Sequence, residues 1–222
     1  PGSPDLEMAA RVARHLGTEH HEVLLDQHQI FADLDRILEH LESYDPDLVL
    51  SAIPCFYVSQ LASRYVKVVL TGEGADELFA GYRYHRDYVG RPDRLRRELQ
   101  RLIANLHHMN LQRVDRMSMA HGLEARVPFL DAAFIHLAEK IPPEQKEPRE
   151  VDKLPLRLAA RGLLPEEIVW RDKSQFDEGS GVRGLLSSLL DPQRLRRRFF
   201  RTYPEEVDRL VARWGHGRVS PN

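Results

Sequence analysis

The run Val66-Lys67-Val68-Val69-Leu70-Thr71-Gly72-Glu73-Gly74 constrains the fold of this chain more than any other stretch. Its first five residues are dominated by β-branched and apolar side chains without alternation. That pattern suits a strand covered on both faces, as in a parallel sheet. Two glycines then interrupt it, and Ala75-Asp76-Glu77-Leu78-Phe79 resumes with helix-compatible residues. Strand, glycine turn and helix make the repeating unit of α/β folds, whose ligands sit where strand carboxyl ends meet helix amino ends.

The preceding sequence alternates in the same way. Leu6, Met8, Ala9, Val12, Ala13 and Leu16 have helical spacing, with Asp5 as N-cap and Gly17 as C-cap. Residues 19–25 predict a strand, and Ile30, Leu34, Ile37, Leu38 and Leu41 a second amphipathic helix ending near Tyr44-Asp45-Pro46. Pro54 predicts the first turn of a third helix through Phe56, Val58, Leu61 and Ala62. Together these predict an α/β fold of the doubly wound kind. After Tyr82 the pattern turns mostly helical, with apolar stripes at Leu95, Leu99, Leu102 and Ile103, at Phe134, Leu137 and Ala138, and at Leu154, Leu156, Leu158 and Ala159. From Asp191 onward, Arg194, Arg196, Arg197, Arg198 and Arg201 surround Leu195, Phe199 and Phe200. This predicts a separate helical, Arg-rich tail over 191–222, after a main domain over 1–190. A net charge of -2 over the 222 residues favours a solvated helix face there over a nucleic-acid patch.

That same balance gives no general electrostatic reason to expect nucleic acid or an anionic membrane. No apolar run approaches the roughly 20 residues that span a bilayer, and Pro1-Gly2-Ser3-Pro4 lacks the basic start of a signal peptide. A soluble, cytoplasmic protein is the expectation. The single Cys55 excludes an internal disulfide framework and reads as a buried, inert thiol.

The glycine turn carries the chemistry. Gly72 and Gly74 tolerate positive φ and close approach of a ligand to the backbone. Amides exposed there, at the start of a helix, make a seat for phosphate. Asp76 and Glu77 would repel bare phosphate, so they fit beside it only with Mg²⁺ between. The alternative is an acidic first turn that caps a helix and binds nothing.

Residues 66–85, VKVVLTGEGADELFAGYRYH, resemble the signature of the asparagine synthetase family, and two further blocks agree in order: RVDRMSMAHGLEARVPFLD at 113–131 and LPEEIVWRDKSQFDEGSG at 164–181. The opening PGSPDLEMAARVARHLGTEHHEV also resembles the segment after the family's ATP-binding loop. The likeness covers roughly the first 180 residues. It implies a Rossmann-like sheet of the adenine-nucleotide alpha-hydrolase kind, incomplete here, with a mostly helical carboxy-terminal half. The implied substrates are ATP with Mg²⁺, aspartate and ammonia. In that chemistry the aspartate side chain attacks the α-phosphoryl group of ATP, pyrophosphate leaves, and ammonia displaces AMP from the acyl-adenylate.

The resemblance also assigns roles. Glu73 aligns with the family's base, where a tyrosine would point to the β-lactam-forming branch. Lys173 aligns with its essential lysine. Thr71, Gly72, Gly74, Asp76 and Glu77 fall on the ATP and pyrophosphate site, with Asp76 as metal ligand. Tyr82 falls on the substrate pocket. Asp115 and Arg116 match the pattern and read as pocket-shaping and packing residues, and Glu124, Arg126 and Asp131 as buried structural pairs.

Two family features have no counterpart in these residues: the Ser-Gly-Gly-x-Asp-Ser-Ser pyrophosphatase loop with its strand, and the glutaminase domain with its first-residue cysteine. The expectation is a carboxy-terminal portion, completed by an amino-terminal region or partner chain and supplied with ammonia or, through a separate domain, with glutamine. A non-catalytic truncated paralogue serving as a binding module, or another acyl-adenylate-forming ligase such as a lasso-peptide or β-lactam cyclase, are the alternatives.

Overall fold

The structure is a computed structural model that describes residues 3–173, 179–182, 184 and 191–202. Residues 174–178 of the third block and the tail over 203–222 lie outside the described residues. No described helix is long and apolar enough to cross a membrane.

Helix α1 spans Pro4–Leu16. Its N-cap is Ser3, whose Oγ accepts the Leu6 amide at 3.4 Å, rather than Asp5. Pro4, with φ preset for a first turn, fixes the start two residues earlier. Asp5 instead pairs with Arg171 at 2.5 Å. Gly17 closes the helix at φ 65°, as its position predicts. Residues 19–25, expected as a strand, take no regular secondary structure and have no ladder partner among the described strands. Val23 and Leu25 lean on the core while Leu24 is exposed, so the alternation of a strand is present and only a neighbour to pair with is missing.

Helices α2 (Gln27–Leu41) and α3 (Pro46–Ala62) follow, capped by Asp26 and Asp45, each accepting a backbone amide at 2.9 Å. Helix α3 begins at Pro46, not at Pro54 as the sequence suggests. Pro54 sits in the helix interior, where it removes one backbone hydrogen bond. The helix tolerates it because Val49, Ala52, Ile53, Phe56 and Tyr57 are all buried, each large side chain contributing about 1.5–3 kcal/mol.

Strands β1 (Val68–Leu70) and β2 (Glu124–Arg126) form a parallel pair with Val69 opposite Ala125, extended by Thr71 donating to the Arg126 carbonyl at 2.8 Å. The sheet thus confirms a parallel arrangement but corrects the expected burial: Leu70 is 73% and Val68 38% exposed. Val68 and Leu70 share an uncovered face of β1, while Val69 on the opposite face is half-buried. Glu124 and Arg126, expected as buried pairs, are exposed and bind each other at 2.7 Å, because alternate residues of a strand share a face.

Between the strands come α4 (Ala75–Leu78), a 3₁₀ turn (Arg83–Tyr88), α5 (Pro92–Asn105) and α6 (Asn110–Met119). After β2 come a 3₁₀ turn (Pro128–Leu130), α7 (Ala132–Lys140), α8 (Pro143–Lys146), α9 (Leu154–Ala160) and α10 (Glu166–Val169). Asp131 is not half of a buried pair; it caps α7, accepting the Ala133 amide at 2.9 Å. The main core joins α2, α3 and Met117 of α6. A second cluster of Leu78, Phe79 and Ala138 fixes α4 against α7, and a third holds Ala80 against Leu95 and Leu99 of α5. The chain is a mostly helical α/β structure whose helices grip the segment after β1 from two sides.

The Arg-rich helix Pro192–Thr202 is anchored as well as solvated. Leu195 is buried in the main core, Phe199 packs against it, and Arg198 pairs with Asp35 of α2 at 2.6 Å.

Candidate active site

The backbone leaves β1 at Thr71 and must turn within three residues to enter α4. Gly74 makes the turn at φ 94°, and a Cβ there would also collide with Leu130 of the Pro128–Leu130 turn. Glycine is required twice over. Gly72 faces open space, so the backbone before the turn stays approachable. The Thr71 hydroxyl is buried and has no hydrogen-bond partner, an unusual condition for a buried polar atom and one a ligand would relieve.

Three carboxylates follow, and each meets a different partner. Glu73 pairs with Arg113 of α6 at 2.5 Å, with both side chains largely buried. Burial pushes the Glu73 carboxyl above its usual range, against the pull of Arg113. Asp76 binds two ammonium groups through one oxygen, Lys173 at 2.5 Å and Lys153 at 3.1 Å. Burial raises its affinity for a proton, but the two lysines outweigh it and hold the carboxyl below its usual range. Lys173 also lies 5.0 Å from the centre of the Tyr82 ring, and burial depresses its ammonium despite Asp76.

Glu77, only 2% exposed, has a different set of partners. It accepts a hydrogen bond from the Tyr82 hydroxyl and one from Asn110 Nδ2 at 3.1 Å, while Asn110 also donates to the Tyr82 oxygen at 2.8 Å. Tyr82 in turn is held by His85, whose Nδ1 accepts the Tyr82 amide at 3.3 Å. That bond makes the buried His85 ring the Nε2-protonated, neutral tautomer. Burial lowers its basicity.

The structure therefore gathers Glu73, Asp76, Tyr82 and Lys173, and ties Glu77 to Tyr82. Three residues escaped the sequence reading. Lys153 lies in Val151-Asp152-Lys153-Leu154, where nothing in type or spacing separates it from a surface lysine. Its left-handed φ of 51° is visible only in the fold. Arg113 and Asn110 could have been found from helical period. Positions 110, 113 and 117 share one face of α6, so Met117 in the core places the other two inward. By the same period Asp115 is exposed and Arg116 turns to α2, binding the Leu41 carbonyl and Glu42, the latter at 2.7 Å.

The donor set also limits what can bind. Among the described residues no group of three or more acidic, histidine or cysteine side chains could hold a metal by itself. Asp76 offers one carboxylate, which suits Mg²⁺ only as an ion that arrives with phosphate and keeps most of its waters. The two ammoniums, the open Gly72 and the unpartnered Thr71 hydroxyl suit an anionic, oxygen-rich ligand.

The family model described as asparagine synthase matches residues 1–94 and 87–220. Asparagine synthetase [glutamine-hydrolyzing] 1 of Saccharomyces cerevisiae is 39% identical over 194 residues, covering 82% of this chain and 34% of the relative. The Rattus norvegicus asparagine synthetase [glutamine-hydrolyzing] is 38% identical over 182 residues, with 80% and 32% covered. Asparagine synthetase B [glutamine-hydrolyzing] of Escherichia coli is 36% identical over 184 residues, with 82% and 33% covered. The chain thus spans about a third of the length of the curated relatives it matches. A match over nearly the whole chain, on the residues that build the cluster around Asp76, places this chain in the asparagine synthase family.

Proposed function

We propose that this chain supplies the aspartate-activating and amide-forming side of an ATP-dependent asparagine synthetase. The observation that carries the reading is the convergence of Lys153 and Lys173 on Asp76 beside the buried Glu73–Arg113 pair. Paired ammoniums in a partly desolvated site favour a group that gains negative charge as a bond breaks, which is the need of departing pyrophosphate. Asp76 would hold Mg²⁺, which when bound neutralises phosphate charge. Thr71 and the backbone at Gly72 would receive phosphate oxygens.

Glu73 then acts at the second stage. Ammonia attacks the acyl carbon of the aspartyl-adenylate, AMP leaves, and the proton lost by nitrogen needs an acceptor. A carboxylate made more basic by burial suits that role. Arg113 orients it. Tyr82 packs beside Lys173, and Glu77 with Asn110 fixes the Tyr82 ring, so Glu77 is assigned to positioning rather than to phosphate contact.

The same reading extends to the sheet. Exposed Val68 and Leu70, and the alternating but unpaired residues 19–25, support a Rossmann-like sheet of the adenine-nucleotide alpha-hydrolase kind completed by strands outside these residues. The Arg-rich tail over 191–222 is proposed as an appendage to it, anchored through Leu195, and the cytoplasm as its compartment.

Aspartate-dependent exchange of pyrophosphate into ATP tests the first stage, and asparagine formation the second. The assays are run on the chain joined to a segment bearing the pyrophosphatase loop, with the chain alone as comparison. Lys173→Ala should remove exchange. Glu73→Gln should retain exchange and lose about 10²–10⁴-fold in amide formation. Retained amide formation in Glu73→Gln, or exchange supported by an acid other than aspartate, would overturn the assignment. The absence of any exchange in the joined protein would favour a non-catalytic module.

A further inference from the structure

We propose that Arg157 is a positioning residue that sets the separation of the two ammonium groups on Asp76, by tying the segment that carries Lys153 to the one that carries Lys173. The two lysines are far apart in sequence and lie on loops, and neither loop has a strand partner to hold it. Besides the shared Asp76, one guanidinium bonds to both segments. Arg157 Nε donates to the Asp152 carbonyl at 2.7 Å and Nη2 to the Asp152 carboxylate at 2.6 Å. Nη1 donates to the Val169 carbonyl at 2.5 Å and to the Arg171 carbonyl at 2.9 Å. The first pair grips the residue before Lys153, and the second grips two carbonyls just before Lys173.

Each grip acts where the backbone needs it. Lys153 holds φ 51°, a conformation that residues with a side chain seldom adopt. Fixing Asp152 by both its carbonyl and its carboxylate leaves Lys153 little freedom to relax. Residues 170–173 have left helix α10, and the Val169 and Arg171 carbonyls have no strand to bond with. Arg157 and Asp152 are themselves nearly buried, with side chains 11% and 14% exposed, so water competes poorly for these bonds. A planar fork with donors on three nitrogens can span two segments at once in a fixed geometry, whereas a lysine would offer a single, rotatable point of donation.

This role rests on the proposed function only in the choice of pyrophosphate as probe. Its first test needs no ligand. A short aryl difluoride that cross-links amines should join Lys153 to Lys173 in the 222-residue chain, read by peptide mapping. The yield should fall steeply in Arg157→Gln and partly in Asp152→Asn, a milder change that keeps the assay informative if the first variant folds poorly. Hydrogen exchange in α2 and α3 should match the unmodified protein in both.

The second test is calorimetry with Mg²⁺ and pyrophosphate. Arg157→Gln should weaken binding about tenfold, or ~1.4 kcal/mol, and should have no further effect when Lys153→Ala and Lys173→Ala are already present. Wild-type cross-linking in Arg157→Gln overturns the proposal. So does a loss of cross-linking accompanied by faster exchange in α2 and α3, or a full additional effect in the lysine-free background, since both describe an arginine that merely supports the fold. If pyrophosphate binds nowhere while cross-linking behaves as expected, the positioning role stands and the phosphate reading of the site falls.

Discussion

Replacing Tyr82 with phenylalanine isolates one hydrogen bond in the most enclosed part of the site. The Tyr82 hydroxyl donates to Glu77, and its oxygen accepts from Asn110. With the hydroxyl gone, the buried Glu77 carboxylate keeps only the Asn110 donor at 3.1 Å. No ion pair to Glu77 is found among the described residues, so the phenol is the closest group that satisfies this charge. Burial, reinforced by the Glu77 charge, drives the phenol to hold its proton well above the ordinary tyrosine range. A hydrogen bond to a charged group contributes about 1.5–3 kcal/mol, one between neutral groups about 0.5–1.5 kcal/mol. Tyr82→Phe should therefore destabilise the protein by about 2 kcal/mol. In a Glu77→Gln background the same change should cost about 1 kcal/mol, giving a coupling of about 1 kcal/mol. Urea unfolding of the four proteins, followed by circular dichroism, measures all the terms. In thermal scans the first loss should appear as a drop of about 4–8 °C for a chain of this size. A coupling near zero would refute the reasoning, because it would mean that Tyr82 does not answer a charge on Glu77.

Gly81→Ala should place a Cβ against the Asp76 carboxylate and the Lys153 stem; the expected result is loss of Mg²⁺–pyrophosphate binding in calorimetry with unchanged helix content. Acid should weaken the fold through His85 and His121, both driven below the usual histidine range of 6.5, chiefly by burial; the charges facing them are Glu98, Asp76 and Lys173 for the first, and Arg36, His40 and Asp33 for the second. A depressed histidine contributes its full stability above pH 6.5 and loses it as pH falls below that value, so the melting temperature should drop between pH 7.5 and pH 5.5, ~1.4 kcal/mol per pH unit for each group at most, and less steeply in His85→Phe. Ile37→Ala, at a fully buried position between α2 and α3, should cost about 2–5 kcal/mol in urea unfolding.

The parts of the fold that were legible in the sequence are those fixed by local chemistry. Helix α2 follows from its apolar stripe, Gly17 from the need for a left-handed cap, and β1 from its β-branched run. The errors arose where a distant neighbour decides. Pro54 looks like a helix start because proline favours first turns, yet Asp45-Pro46 offers a start with its own cap, and burial on several sides carries the helix through the second proline. Residues 19–25 have the alternation of a strand and lack the partner that would make them one. At the site, the glycine turn points to Asp76 and Glu77 while leaving open an acidic helix cap, and only the family resemblance singles out Glu73 and Lys173. Lys153 and Arg157 were invisible, because their roles depend on the approach of two loops, which no spacing within either loop encodes.

The charge balance at Asp76 explains how such a site can be both stable when empty and receptive. A pair of ammoniums buried without a counter-charge would be costly, and burial already depresses Lys173. Asp76 compensates both at once, and on the reading proposed above the fork of Arg157 would hold the pair at its spacing. A polyphosphate that enters competes with Asp76 for the same ammoniums. It would therefore exchange one anionic partner for another and need not desolvate bare charges, while Asp76, relieved of one lysine, would be available to hold a divalent ion, which would supply further charge neutralisation. On the proposed function, the reorganisation that would otherwise accompany charge development would be complete before the ligand arrives, which is where electrostatic catalysis gains most of its effect.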